Sequence, residues 1–190
     1  LKIRNDKITI RNMQHRPSDY ELLSKWLTDE EVLEFYEGRD NPFPADRIMK
    51  HYSLPALARE NVVPCIIIYE DNEIGYIQFY PLSEIHKPIF QIEDTEGIFG
   101  IDLFIGETRY WNKNIGTKVL RTMLEYLFAR ERAKKIIIDP HTWNERAIRC
   151  YEKAGFRKIK ILKEHELHEG VKRDALLMEI TRDEFFNPQP

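Results

Sequence analysis

Cysteine is scarce in this sequence: Cys65 and Cys150 are the only two in 190 residues. Neither lies in a CxxC or other metal-spaced pattern. They read as small apolar residues inside a strand and a helix, in a protein of a reducing compartment. Long apolar runs are also missing. Stretches such as CIIIY at 65–69 are far too short to cross a bilayer. The opening LKIRNDKITI is charged from its second residue, so no secretory signal is expected and the expected location is cytoplasmic. No GxxxxGK[ST] or GxGxxG occurs, which excludes a Walker loop and a dinucleotide fingerprint. Repeats, low-complexity tracts and linkers are absent. The net charge of −3, with no continuous basic face, disfavours nucleic-acid binding.

A hydrophobic share of 42% and an aromatic share of 12% belong to a globular chain, and 190 residues suit one domain. That domain is expected over residues 1–183, with a tail at 184–190. The charges cluster. Acids gather at Asp29, Glu30, Glu31, Glu34, Glu37 and Asp40, at Glu93, Asp94, Glu96 and Asp102, and at Glu164, Glu166 and Glu169. Bases gather at Arg109, Lys113, Lys118 and Arg121. Each one alone reads as a solvated surface charge. Together they suit one site for an anion and others for a cation.

Periodicity predicts a strand over Lys7–Met13 and a helix over Pro17–Leu27 capped by Ser18 or Asp19. It predicts further helical stretches at Asp29–Tyr36 and within Ala45–Arg59, interrupted near Pro55. Val62–Tyr69 and Glu73–Tyr80 read as a hairpin around Asp71-Asn72, and 81–95 as a loop. Gly97–Ile105 reads as a strand. Asn114–Arg130 carries the strongest apolar stripe: Ile115, Val119, Leu120, Met123, Leu124, Leu127 and Phe128. Ile136–Ile138 reads as a short strand, Asn144–Ala154 as a helix closed by Gly155, and Phe156–Leu162 and Ala175–Ile180 as strands. The fold class is α/β, helices flanking a central mixed sheet.

Two segments carry chemistry. GIDLFIG at 100–106 followed by RYWNKNIGTK at 109–118 is a strand, a short loop and a helix start. Backbone N–H groups and the helix dipole at such a start favour a phosphate, and Lys113 and Lys118 add positive charge. In DPHTWNERAIRCYEKAGF at 139–156, Asn144, Ile148 and Tyr151 share one helix face. Tyr151 by itself reads equally well as a packed phenol. Asp102 is the only charged residue of its strand, and alternation alone leaves it free to be an acid on a solvated face.

Together the segments resemble the GCN5-related N-acetyltransferase (GNAT) superfamily. Its loop pattern of Arg or Gln, two residues, Gly, one residue, Gly or Ala reads here Trp111-Asn112-Lys113-Asn114-Ile115-Gly116. Gly116 matches, Trp111 replaces the basic or amide residue, and Asn114 replaces the first glycine. Asparagine tolerates a left-handed backbone better than most residues. N-x-x-A-x-x-x-Y-x-K-x-G-F from Asn144 to Phe156 matches throughout. KWLTDEEVLEFYEGRD at 25–40, IGYIQFY at 74–80 and EHELHEG at 164–170 extend the resemblance to aminoglycoside 6′-N-acetyltransferases.

The resemblance implies a GNAT fold with splayed strands that bind acetyl-CoA as cosubstrate, and no metal. It implies Asp102 as base and Tyr151 as acid. Leu103, Phe104 and Ile105, the loop Trp111, Asn112, Lys113, Asn114, Ile115, Gly116 and Thr117, and Asn144 and Ala147 would hold the coenzyme. Tyr36, Tyr52, Glu60, Gln78, Asp94, Asp102, Asp139 and Glu169 would meet an aminoglycoside. The protein would be a monomer or weak dimer without membrane or nucleic-acid partners. An acetyltransferase of protein N-termini or polyamines, and a non-catalytic acetyl-CoA-binding module, are the alternatives. His165 and His168 in HELHE lack HExxH spacing and an evident third ligand, so zinc is not expected.

Overall fold

The computed structural model describes residues 1–188. The chain opens as a hairpin, β1 (Lys2–Asn5) and β2 (Ile8–Asn12), where one strand was expected over Lys7–Met13. In β1 only Ile3 is apolar, and all four residues are exposed or half-buried, so apolar alternation could not reveal it. Helices follow as α1 (Pro17–Trp26), α2 (Glu30–Leu33), α3 (Ala45–His51) and α4 (Leu54–Arg59). The third helical stretch is thus two helices, and Pro55 stands in the first turn of the second, where its missing N–H costs nothing. Strands β3 (Val63–Tyr69) and β4 (Asn72–Pro81) form the expected hairpin. Its turn residues are Glu70 and Asp71, both with positive φ (46° and 67°), one position earlier than expected.

The expected loop at 81–95 contains a short helix, α5 (His86–Phe90), which is less than two turns long and so shows little period in the sequence. After it come β5 (Ile98–Ile105), α6 (Ile115–Ala129), β6 (Lys135–Ile138), α7 (Glu145–Ala154), β7 (Arg157–His168), β8 (Val171–Thr181) and α8 (Arg182–Phe186). The last two strands run well beyond their expected bounds. The strand order of the eight-stranded sheet is β1-β2-β3-β4-β5-β6-β8-β7. β5 and β6 are parallel, Ile98–Gly100 beside Lys135–Ile137, and α6 is the crossover that parallel neighbours require.

The chain forms two compact units, Leu1–Tyr80 with Asp102–Ile115, and Pro81–Ile101 with the residues from Gly116 onward. In the first, Leu23, Trp26, Leu27, Ile48, Ile66 and Tyr76 are fully or almost fully buried in one aromatic-rich core. A Cβ on Gly106 would stand 2.2 Å from the Trp26 ring, so glycine is required for the chain to pass that indole. In the second, the α6 stripe from Val119 to Phe128 is buried. A capping box between Thr181 and Glu184 starts α8 and brings Phe185 and Phe186 to within 5.4 and 6.3 Å of the Phe128 ring.

Asp19 departs from its expected place as a helix cap. The N-cap of α1 is Arg16, without a side-chain cap, and Asp19 lies inside the first turn with no exposure. It accepts from Arg11 at 2.6 and 2.8 Å, from Arg16 at 2.8 Å and from the Gln14 N–H at 2.8 Å. Burial alone would raise its pKa, but these donors outweigh it and hold the carboxyl below the usual range. Its stabilising effect is therefore present at neutral pH and is lost as pH falls through the depressed value. Asp19→Asn takes from Arg11 its buried charge partner and leaves it only the more exposed Glu73, 3.2 Å away. It should cost about 3 kcal/mol in urea denaturation at pH 7, and the gap to wild type should narrow below about pH 4.

Candidate active site

The first unit presents a polar network in an aromatic wall. Asp102 stands in β5 two residues before Phe104, so both side chains take the same face of the strand. Asp102 is therefore half-buried beside the core rather than on a solvated face. Its Oδ2 accepts from Gln78 Nε2 at 2.8 Å, and Gln78 Oε1 accepts from the Tyr76 hydroxyl at 2.7 Å. Tyr76 and Gln78 alternate on β4 and share a face for the same reason. The Tyr76 ring stacks on Phe104 at 5.7 Å and meets Tyr52 edge-on at 5.9 Å, while Tyr36 lies 4.6 Å from Phe104.

A second carboxylate closes the other side of this wall. Glu37 Oε1 accepts from the Tyr52 hydroxyl at 2.6 Å, and its Oε2 is 3.4 Å from Asn41 Nδ2. Tyr36 hydrogen-bonds Tyr52. Burial raises the Glu37 pKa, opposed by the Tyr52 hydrogen bond and by the charges of Arg47 and His51. Burial also holds Tyr36, Tyr52 and Tyr76 well above the ordinary phenol value, with Glu37 adding to all three and Asp102 to Tyr36 and Tyr76. The three phenols keep their protons at any working pH.

Of the expected acceptor residues, Tyr36, Tyr52, Gln78 and Asp102 meet here. Glu60 does not join them: it is exposed at the end of α4. Glu37 and Tyr76 were missed. Glu37 sits in an acid-rich stretch that reads as solvated surface, and only its position next to Tyr36 hinted otherwise. For Tyr76, the signal was period-2 spacing from Gln78.

The loop between β5 and α6 takes the backbone that Asn114 was expected to tolerate. Asn114 has φ 60° and Asn112 φ 58°. Asn112, Lys113 and Asn114 are exposed, with Lys113 over the Tyr110 ring at 5.9 Å, so the turn offers polar and cationic groups outward. Trp111 turns the other way: its indole N–H donates to the Ile105 carbonyl at 2.8 Å and its ring meets Phe35 edge-on. Its side chain packs against the core. Ile115 is buried, and Leu103, Phe104 and Ile105 form the end of β5.

In the second unit, Thr117 Oγ1 lies 3.5 Å from Cys150 Sγ, and a Cβ on Gly116 would stand 3.1 Å from that sulfur. The α6 start thus packs closely on α7, and burial raises the Cys150 thiol pKa. Asn144 is the N-cap of α7, its Oδ1 accepting from the Ala147 N–H at 3.2 Å. That oxygen and that N–H serve the helix, leaving the Asn144 amide nitrogen for other partners. Tyr151 is buried, its ring 6.2 Å from Phe156, and Gly155 (φ 112°) closes the helix behind it.

Asp94 is exposed and accepts from the Glu96 N–H at 3.0 Å, a local turn bond that lowers its pKa. Glu169 occupies the β7–β8 turn with φ 51°. Asp139 pairs with His165 at 2.8 Å, which raises the His165 pKa. His141 stacks on Trp143 at 5.3 Å and meets His168 at 4.7 Å; burial pushes its pKa down to about 4, assisted by His168, Arg173 and His165. Among the described residues no group of three or more His, Cys, Asp or Glu is placed to hold a metal ion. Nor is any helix long and apolar enough to cross a membrane.

A mixed sheet with a parallel β5–β6 step, a loop rich in left-handed asparagine before α6, and a tyrosine on α7 are the architecture of an acyltransferase that takes its acyl group from coenzyme A. The family model described as acetyltransferase (GNAT) domain matches residues 15–163, and the chain belongs to that family. Within it the chain is similar to the aminoglycoside N(6′)-acetyltransferase type 1 of Klebsiella pneumoniae, 36% identical over 155 residues, which are 81% of this chain and 76% of that protein. Among solved structures, AAC(6′)-Ib in complex with ribostamycin and coenzyme A matches with TM-score 0.79 at 30% identity, over 97% of this chain and 99% of that one. AAC(6′)-Ib with coenzyme A and kanamycin matches with TM-score 0.78 at 29% identity, over 96% and 99%.

The histidine environment predicts acid sensitivity. A depressed His141 pKa means that the unfolded chain binds this proton more readily, so stability falls as pH drops below the ordinary histidine value and the loss is complete near pH 4. The raised His165 pKa acts oppositely, its contribution being lost as pH rises. Between pH 7 and pH 5 His141 should account for a loss of about 2 kcal/mol. Urea denaturation of His141→Gln at both pH values should show that loss reduced by this amount relative to wild type.

Proposed function

We propose that the protein transfers an acetyl group from acetyl-CoA directly to the 6′-amine of an aminoglycoside, and so confers resistance. The observation that carries this reading is the carboxylate-terminated aromatic wall of the first unit, Asp102–Gln78–Tyr76 beside Tyr36, Tyr52 and Glu37. An aminoglycoside is a polycation covered in hydroxyls, and its site needs carboxylates, a few hydrogen-bonding groups and flat walls.

A primary amine is mostly protonated at neutral pH and cannot attack a carbonyl until it loses that proton. Asp102 takes it, directly or through one water. Gln78 donates to one oxygen of that carboxylate and so fixes its orientation. Tyr151 gives its proton to the departing thiolate. Its α7 position is fixed by the Asn144 cap at one end and the Gly155 closure at the other.

The residues of the β5–α6 turn suit the coenzyme: exposed Asn112, Lys113 and Asn114 precede Gly116 and Thr117 at a helix N-terminus, where N–H groups and the dipole favour phosphate. Leu103 to Ile105 would lie along the pantetheine arm. The coenzyme supplies the acetyl thioester, and no covalent acetyl-enzyme is required.

Coenzyme A release from acetyl-CoA should be fast with kanamycin, and mass spectrometry should find one acetyl group on the 6′ nitrogen. Activity with spermidine or a peptide amine alone would keep the enzyme class and overturn the acceptor. Asp102→Asn should lower kcat by about 100-fold or more while leaving coenzyme binding intact; near-normal turnover would remove it as base. Tyr151→Phe should slow transfer at every pH, and an unchanged rate would remove it as acid.

A further inference from the structure

The direction of hydrogen bonds along the aromatic wall is set by its two carboxylates. An ionised carboxylate only accepts. Glu37 receives the Tyr52 proton at 2.6 Å while Asn41 holds its other oxygen, and Arg47 and His51 supply positive charge nearby. Tyr52 has one proton, already committed, so its bond with Tyr36 must run from the Tyr36 hydroxyl to the Tyr52 oxygen. Tyr36 then has no proton left to offer. At the other side Asp102 imposes the same order: Gln78 donates to Asp102, and Tyr76 donates to Gln78. Every proton in the network points toward a carboxylate.

We propose that Glu37 is a positioning residue of the acceptor site, which through Tyr52 makes Tyr36 present lone pairs rather than a proton to the incoming molecule. Resting on the acceptor-site reading above, it makes the wall select amines surrounded by donors, ammonium and hydroxyl groups, over amines flanked by carbonyl acceptors. Glu37 acts through Tyr52 and touches no reacting atom. Glu37→Gln keeps the shape but supplies an amide N–H that can donate to Tyr52, which frees the chain to reverse and turns the Tyr36 proton outward.

The test is steady-state kinetics of wild type, E37Q, Y52F and the double variant, with kanamycin and with spermidine, alongside the KM for acetyl-CoA. E37Q should raise the amine KM about fivefold or more, with kcat and the acetyl-CoA KM within about twofold of wild type, because only binding of the amine is touched. In the Y52F background E37Q should add less than about twofold, since the path runs through Tyr52. An amine KM unchanged in E37Q, a loss shared equally by kcat and the acetyl-CoA KM, or a full E37Q effect in Y52F would each overturn the proposal. If E37Q fails to fold, Y52F alone must reproduce the raised amine KM, or the proposal fails. A wild type that turns over spermidine but not kanamycin overturns the aminoglycoside reading and leaves Glu37 to be judged on spermidine. A wild type that turns over neither overturns both.

Discussion

At Gly75 a Cβ would stand 2.3 Å from the Phe104 carbonyl oxygen, well inside any real contact. Only a bare backbone can lie that close, and the approach carries β4 against the end of β5. Tyr76 follows directly and stacks on Phe104, and Gln78, two residues further on the same face, reaches Asp102. The aromatic wall beside Asp102 is thus a consequence of strand pairing geometry. A side chain at 75 would push β4 away, and the Gln78–Asp102 bond of 2.8 Å leaves little slack for that.

The same unit shows how carboxylates survive among aromatic rings. Asp19 is wholly buried and is held by two guanidinium groups and a backbone N–H, a structural pairing. Glu37 and Asp102 are only half-buried, and each accepts from neutral donors, Tyr52 and Asn41 for one and Gln78 for the other. A carboxylate satisfied by guanidinium groups has little attraction left for a cation. One satisfied by neutral donors keeps its negative charge available to an arriving ammonium. The contrast separates the acid that stabilises the fold from the acids suited to a polycationic substrate.

Much of the fold was legible beforehand because its elements announce themselves locally. The α6 stripe, the Gly155 closure of α7, and the β3–β4 hairpin each follow from spacing and turn chemistry within a few residues. Strand β1 and helices α5 and α8 were not read, since each is five residues or fewer and too short to show a period. The Asp19 cap was misplaced for a different reason. A side-chain cap is a local bond, whereas Arg11 reaches Asp19 from a neighbouring strand.

By itself the sequence determined the types of most elements and the left-handed turn that asparagine tolerates at Asn114, and through its family resemblance it singled out Asp102, Gln78, Tyr36, Tyr52 and Tyr151. The elements and the turn depend on neighbours along the chain, where sterics and period act. Which of those groups touch was decided only by tertiary structure. Glu37 reads as one acid among many until folding brings Tyr52 to it across fifteen residues. Glu60 reads as its equal until folding leaves it exposed. Hydrogen-bond direction and burial are properties of several segments at once, and no single stretch of chain encodes them.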